Sequence, residues 1–122
     1  MSRTRRDDRG AVMVEFAIVL PVLLLILLGI IEFGRAYNAQ VSIQAAAREG
    51  ARELALRHGT ADVASATRDA APSVTIDTVA QTPCPASGDG KAKVKVTESF
   101  SFLALPFAPL NLTATGVMRC GL

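Results

Sequence analysis

The most unusually placed charge in this sequence is Glu15, a carboxylate just inside the longest apolar run of the chain. It stands five positions after Gly10 in the stretch RGAVMVEF, and no charged residue follows from Phe16 to Ile31. A carboxylate at the centre of a membrane helix costs roughly 2.5–3.5 kcal/mol, and less near the interface, so such a residue usually has a partner. The chemistry available here is therefore charge pairing in an apolar environment.

Side chains for catalysis or ligand binding are scarce. His58 is the only histidine, and its position before Gly59 predicts a helix C-terminus, where a cation is favoured. The sequence has no Cys-x-x-Cys, paired-histidine motif, P-loop or nucleophile elbow, and Asp89 alone cannot supply a calcium site in PCPASGDG. A net charge of +2 without a dense basic block beyond the first nine residues argues against nucleic acid. We therefore expect no enzyme, cofactor, metal or small-molecule substrate.

Two cysteines, Cys84 and Cys120, form the other candidate chemical pair. If the segments 91–102 and 110–119 are strands paired through the turn PFAP, both cysteines come to one end of the sheet. A disulfide there would suit an oxidising compartment and add roughly 3–4 kcal/mol of stability in the chain-entropy model. Two free buried thiols are the alternative, since two cysteines alone carry little pattern information.

The element that must position Glu15 is a predicted transmembrane helix over residues 11–31, about 31 Å long at 1.5 Å per residue. A basic leader, residues 1–10, contains four arginines, whereas only Arg35 and Arg48 follow the span within about 20 residues. The positive-inside rule therefore predicts a cytoplasmic N-terminus, with the remainder of the chain outside the cytoplasmic membrane.

The helical pattern continues past the span as a predicted stalk over residues 32–58. Inside the span, Pro21 lacks a backbone donor, which predicts a kink or local unwinding between Ala17 and Pro21. Small and apolar residues recur along the stalk at Ala47, Gly50, Ala51 and Leu54. This stripe favours packing against the C-terminal part of the same chain over a separate partner groove.

The C-terminal residues, 59–122, predict a small α+β domain. A short helix is expected with Thr60 as N-cap, Asp62 in its first turn and Pro72 as its stop. Alternating polarity then predicts three strands, SVTIDTV (73–79), KAKVKVTESFSF (91–102) and LNLTATGVMR (110–119). We expect a long membrane-anchored helix followed by a short helix and an antiparallel sheet that rests its apolar face on the stalk.

Residues 9–56, which include GAVMVEF, the VLP step and AAREGAR, resemble the N-terminal half of the TadE-like proteins of Tad (Flp, tight-adherence) pilus systems, which are similar to pilins and pseudopilins. The resemblance implies that an inner-membrane prepilin peptidase cuts after Gly10, so that Ala11 begins the mature chain and Glu15 stands fifth. The new amine on Ala11 would lie one helical turn from Glu15 and could pair with it or with a neighbouring subunit's carboxylate.

The partners that this resemblance implies are the bilayer, the peptidase and other Tad pilus proteins bound through the N-terminal helix. It leaves open whether the chain enters the filament as a minor pilin or pseudopilin, or stays in the membrane as an assembly factor. The alternative for Glu15 is that it snorkels toward the headgroups without a partner.

Two other classes of protein share some of these features. An unrelated bitopic envelope protein would have the same anchor but would not need a glutamate five residues after a glycine. A small secreted domain with a signal peptide would be cut near residue 36 and released, although no A-x-A-like site closes the apolar run.

Overall fold

The computed structural model describes residues 4–57 and 62–121. Its elements, in chain order, are α1 (Thr4–Arg57), α2 (Val63–Asp69), β1 (Thr78–Thr82), β2 (Lys91–Phe100) and β3 (Leu110–Arg119). The three strands form one antiparallel sheet in the order β1-β2-β3. The predicted fold class, a long N-terminal helix followed by a short helix and a small antiparallel sheet, is confirmed.

Helix α1 is a single element of 54 residues, which corresponds to about 81 Å at 1.5 Å per residue. It begins at Thr4 instead of Ala11, so most of the predicted leader is helical, with Asp7 in the first turn, where an acidic side chain is favoured. The helix continues through Pro21 without interruption, so the local unwinding predicted there is not found. A bend at Pro21 remains a prediction, and the expected helix end at His58 lies outside the described residues.

The second half of α1 packs on the sheet through the predicted small-residue stripe. Ala47, Ala51 and Leu54 are buried, as is Gly50, and Ile43 extends the buried stripe toward the N-terminal half of α1. The apolar residues among them join the core formed with Val94 and other strand residues. The stripe therefore packs within the chain, as the sequence favoured, because small side chains let the helix lie close to the sheet.

Strand β2 alternates between core and solvent along its whole length. Its core-facing residues are Ala92, Val94, Val96, Glu98 and Phe100. The three lysines of the strand are exposed on the other face, as predicted. Since one face of β2 is covered by α1 and the other is charged, the sheet is a single layer with one buried side.

Gly116 is the point of closest approach between α1 and β3. It pairs with Val94 across the sheet, and a Cβ atom added to it would overlap the carbonyl of Ala47 and lie 2.7 Å from the backbone nitrogen of Arg48. Those contacts are with backbone, which cannot rotate away as a side chain can. Only glycine therefore allows β3 to lie directly against the helix backbone.

The first strand differs from the prediction. β1 spans Thr78–Thr82, whereas the alternation of residues 73–79 had predicted an earlier strand. Before β1, the Asp77 carboxylate accepts a hydrogen bond of 2.7 Å from the Ser99 amide, so this side chain satisfies a donor that a strand would have paired. Ile76, one of the apolar residues of the segment, is nevertheless buried in the core. The alternation reported burial correctly but not backbone pairing.

Helix α2 begins at Val63, two positions later than a helix capped by Thr60 would begin. Its N-cap is Asp62, whose carboxylate accepts a 3.0 Å hydrogen bond from the Ser65 amide. We had expected Asp62 in the first turn of the helix instead. Thr60, the predicted N-cap, lies outside the described residues. The helix ends at Asp69, shortly before Pro72, as predicted.

We expect Gly116→Ala to destabilise the full-length chain in detergent micelles by about 1–3 kcal/mol, because the new methyl group would overlap helix backbone. Thermal or denaturant unfolding followed by circular dichroism measures this. Gly34→Ala is the matched control: a Cβ there meets nothing within 4 Å, so stability should be unchanged or slightly higher. Equal effects of the two substitutions would contradict the close approach at Gly116.

Candidate functional site

The N-terminal half of α1 presents an apolar surface that the chain itself leaves uncovered. All the large apolar side chains from Val12 to Ile31 are at least partly exposed, and none of the most apolar window is buried. Among the described residues, α1 is the one helix long and apolar enough, by length and composition, to cross a membrane. We call residues 11–31 the exposed half of α1. Such a surface requires lipid or other apolar helices around it.

The predicted processing residues lie at the start of this surface. Gly10 and Ala11 are both inside the helix, so the bond between them has helical geometry. Glu15 lies one turn further along, and side chains four residues apart share a helix face. Its carboxylate is exposed, and none of the side chains that the structure describes forms an ion pair or hydrogen bond with it. The partner that the sequence led us to expect is thus not another described part of this chain.

Gly10 has no packing role within the described chain. A Cβ atom added there would meet nothing within 4 Å, and the same is true of Gly29 and Gly34. Glycine in a helix interior costs about 1 kcal/mol relative to alanine. At Gly116 the fold explains the glycine, whereas at Gly10 no contact within the described residues does so.

The cysteine pair lies at the opposite end of the molecule from the apolar surface. Cys84 and Cys120 form a disulfide with their Cα atoms 5.8 Å apart. The amide of Cys120 also donates a 3.0 Å hydrogen bond to the carbonyl of Gly90, next to the start of β2. The disulfide therefore ties the end of β3 to the turn that precedes β2, which is the geometry that the sequence predicted for the two paired strands.

Glu32, which the sequence did not single out, is the main polar contact between α1 and the loop that joins β2 to β3. One carboxylate oxygen, Oε1, accepts hydrogen bonds of 3.0 Å from the amides of both Leu103 and Ala104. The other, Oε2, accepts a 2.7 Å hydrogen bond from Arg35. The Glu32 side chain is only 4% exposed. We call this arrangement the Glu32 clamp.

The electrostatics of the Glu32 clamp favour an ionised carboxylate. Burial by itself raises the pKa of Glu32, but the amides of Ala104 and Leu103 and the guanidinium of Arg35 outweigh it and hold the pKa below its ordinary value. The clamp therefore stabilises the fold at neutral pH, and this contribution is lost as the pH falls through the lowered pKa. The sequence signal was present: an acidic residue directly after the apolar run, with an arginine three positions later.

Aromatic contacts support the same region. The Arg35 guanidinium lies 5.2 Å from the centre of the Phe100 ring, within the range of a cation–π contact. Phe100 and Phe102 meet edge to face at 5.4 Å, and Phe102 and Phe107 do so at 5.7 Å. These contacts continue from the end of β2 into the loop, so edge-to-face aromatic contacts hold the loop as well as hydrogen bonds.

A polar cleft of about 300 Å³ lies beside the clamp, between α1, the segment before β1 and the end of β2. Glu98 lines it and is buried, and its Oε2 atom has no hydrogen-bond partner among the described residues. Burial, and then the nearby charge of Asp77, raise the pKa of Glu98. The raised pKa stabilises the neutral form relative to that of an exposed glutamate, and this contribution to stability is lost as the pH rises through the raised pKa.

Residues 10–52 match the family model described as TadE-like protein. The matched segment begins at Gly10, contains the exposed half of α1 and ends near the buried stripe of the stalk. It leaves out the sheet and the disulfide. The resemblance found in the sequence is therefore confirmed for the long helix. No curated protein and no solved structure matches the chain.

We expect Glu32→Ala to expose the amides of Leu103 and Ala104 to hydrogen exchange, because both lose their acceptor. Glu32→Gln keeps a carboxamide oxygen as acceptor and should retain much of this protection. Residue-resolved hydrogen exchange of the full-length chain in micelles measures both.

The control for this experiment is Glu49→Ala, which removes the exposed ion pair of 3.1 Å with Arg52 at the same spacing along α1. It should leave exchange at Leu103 and Ala104 unchanged. Unaltered protection of those two amides in Glu32→Ala would show that Glu32 does not hold the loop.

Proposed function

Because residues 10–52 match the TadE-like family, we propose that this chain is a pilin-like component of a Tad-type pilus system, either a minor pilin or pseudopilin or an assembly factor. Residues 11–31 anchor it in the bacterial cytoplasmic membrane, with the N-terminus inside and the sheet domain outside. It acts by helix packing in the membrane and catalyses no reaction. Its partners are other Tad pilus proteins, which it contacts through the exposed half of α1.

The observation that carries this proposal is the division of one helix into two surfaces. The stalk half of α1 buries its stripe against the chain's own sheet, whereas the half from Val12 to Ile31 has no such cover. A continuous helix fixes the position of the sheet domain relative to the membrane segment. Packing between membrane helices of neighbouring proteins would therefore also place their outer domains relative to one another.

The proposed maturation step gives Glu15 its partner. Hydrolysis of the Gly10–Ala11 peptide bond by the prepilin peptidase releases the leader and leaves a positive amine on Ala11. That amine lies one helical turn from Glu15 and can pair with it, or with Glu15 of a neighbouring subunit, in an environment where an unpaired charge is costly. An added Cβ atom at Gly10 meets nothing within 4 Å in the part of the chain that the structure describes, which supports a role for this glycine outside the folded chain.

The secreted-domain alternative conflicts with the way the domain is held together. Cleavage near residue 36 would remove Glu32 and Arg35 together, and the amides of Leu103 and Ala104 would lose their acceptor. The contact of Arg35 with Phe100 would also be lost. An unrelated bitopic protein fits the anchor equally well, but it leaves both Gly10 and Glu15 without a reason.

The cleavage proposal predicts that the mature protein begins at Ala11 and that Gly10→Leu retains the leader. Since a Cβ atom added at position 10 meets nothing within 4 Å and the neighbouring helix residues are exposed, Gly10→Leu should not disturb the fold. Intact-mass measurement of membrane-extracted protein reads the N-terminus directly. Gly34→Leu, at an equally open helix position, should be processed normally. A wild-type chain that retains its leader would refute the cleavage step.

The charge proposal predicts that Glu15→Gln keeps the shape of the side chain, inserts more readily and associates less with pilus partners. Crosslinking or co-purification with Tad pilus proteins, followed by an assay of piliation, measures the loss. Glu49→Gln, at an exposed position on the stalk of the same helix, should assemble normally. If Glu15→Gln forms normal complexes and pili, the carboxylate has no role in assembly.

A further inference from the structure

The loop between β2 and β3, residues 101–109, has an unusual composition for an exposed segment. From Ser99 to Met118 the sequence contains no charged residue, and the loop itself reads SFLALPFAP. Leu103 is 77% exposed and Phe107 is 64% exposed. Large exposed apolar side chains on an uncharged loop indicate apolar surroundings or an apolar partner.

The position of this loop along α1 is set by the Glu32 clamp. Oε1 of Glu32 lies 3.0 Å from the amides of both Leu103 and Ala104, so the loop is within one side chain's reach of the helix at this residue. Glu32 is the residue that directly follows the exposed half of α1. The loop is therefore held level with the end of the apolar helix surface, and the disulfide end of the sheet points away from it.

We propose that the β2–β3 loop docks on the outer surface of the bilayer that residues 11–31 span, with Leu103 and Phe107 in the interfacial layer. This inference rests on the membrane anchor of the proposed function and adds a second contact with lipid. The sheet domain then sits directly on the membrane, supported at the helix and at the loop. It does not stand away from the membrane at the end of a free stalk.

Continuity with the span argues for lipid as the occupant. A span that ends at Ile31 places residue 32 at the boundary between hydrocarbon and headgroups, and any apolar group at that level meets the interface. Phe33 and Tyr37 are 75% and 66% exposed just beyond the same boundary, where aromatic side chains are enriched in membrane proteins. The loop adds no charge that would oppose insertion into this layer.

The chain contains no tryptophan, so one introduced tryptophan reports one position. Full-length Phe107→Trp is reconstituted in phosphatidylcholine liposomes whose acyl chains carry bromine near the headgroups, which quenches tryptophan at that depth. We expect blue-shifted emission and a large loss of intensity compared with unbrominated liposomes. Ser87→Trp, in the exposed turn at the disulfide end, should show neither effect. Leu103→Trp should reproduce the result of Phe107→Trp and covers the case in which that variant fails to fold.

Phe16→Trp, within the span and measured in liposomes whose acyl chains carry bromine further from the headgroups, separates failure of this inference from failure of the proposed function. Quenching at position 16 without quenching at positions 103 and 107 would leave the anchor in place and overturn loop docking. A blue shift at the loop without quenching would assign it to protein, such as a second copy, and would also overturn the proposal. Absence of quenching at position 16 would remove the span itself.

Discussion

A single continuous helix has to meet two different environments, and the change from one to the other occurs at Glu32. Before it, the side chains from Val12 to Ile31 have no cover within the described chain, and after it a stripe of small residues is buried against the sheet. The Glu32 carboxylate accepts hydrogen bonds from the two loop amides and from Arg35 at this boundary. Without that contact no described side chain of α1 would hydrogen-bond to the β2–β3 loop, and the sheet would be held to α1 by the core, the hydrogen bond from Gln40 to the Thr113 carbonyl and the contact of Arg35 with Phe100.

The buried stripe packs the rest of the domain against α1. Gly116 lets β3 lie against the backbone of Ala47, and Gly50 leaves room for the Thr67 side chain of α2. The disulfide between Cys84 and Cys120 closes the sheet at the far end. A domain packed on its helix in this way is oriented relative to the exposed half of α1. If the chain acts by packing of membrane helices, as proposed, the arrangement of those helices also sets the positions of the domains attached to them.

Much of this architecture follows from residue pattern, because periodicity and composition report burial directly. The apolar run, the stalk stripe and strand β3 lie where the sequence placed them, and the turn at PFAP brought the two cysteines together as expected. The sequence misplaced β1, because the alternation at Val74 and Ile76 reflects burial beside a strand instead of within it. It missed Glu32, because the value of that carboxylate depends on amides about 70 residues away. A periodicity argument does not include such distant donors.

We propose that the chain crosses the cytoplasmic membrane once, between a short internal leader and an external domain. The most direct measurement is labelling of intact cells with a membrane-impermeant maleimide, using Asp8→Cys and Asp69→Cys, both at exposed positions, in a Gly10→Leu chain that keeps the leader attached. The native cysteines are joined in the disulfide and do not react. A single-pass chain with an internal N-terminus should be labelled at position 69 in intact cells, and at position 8 only after the membrane is permeabilised. Labelling of position 8 in intact cells, or protection of position 69, would contradict it.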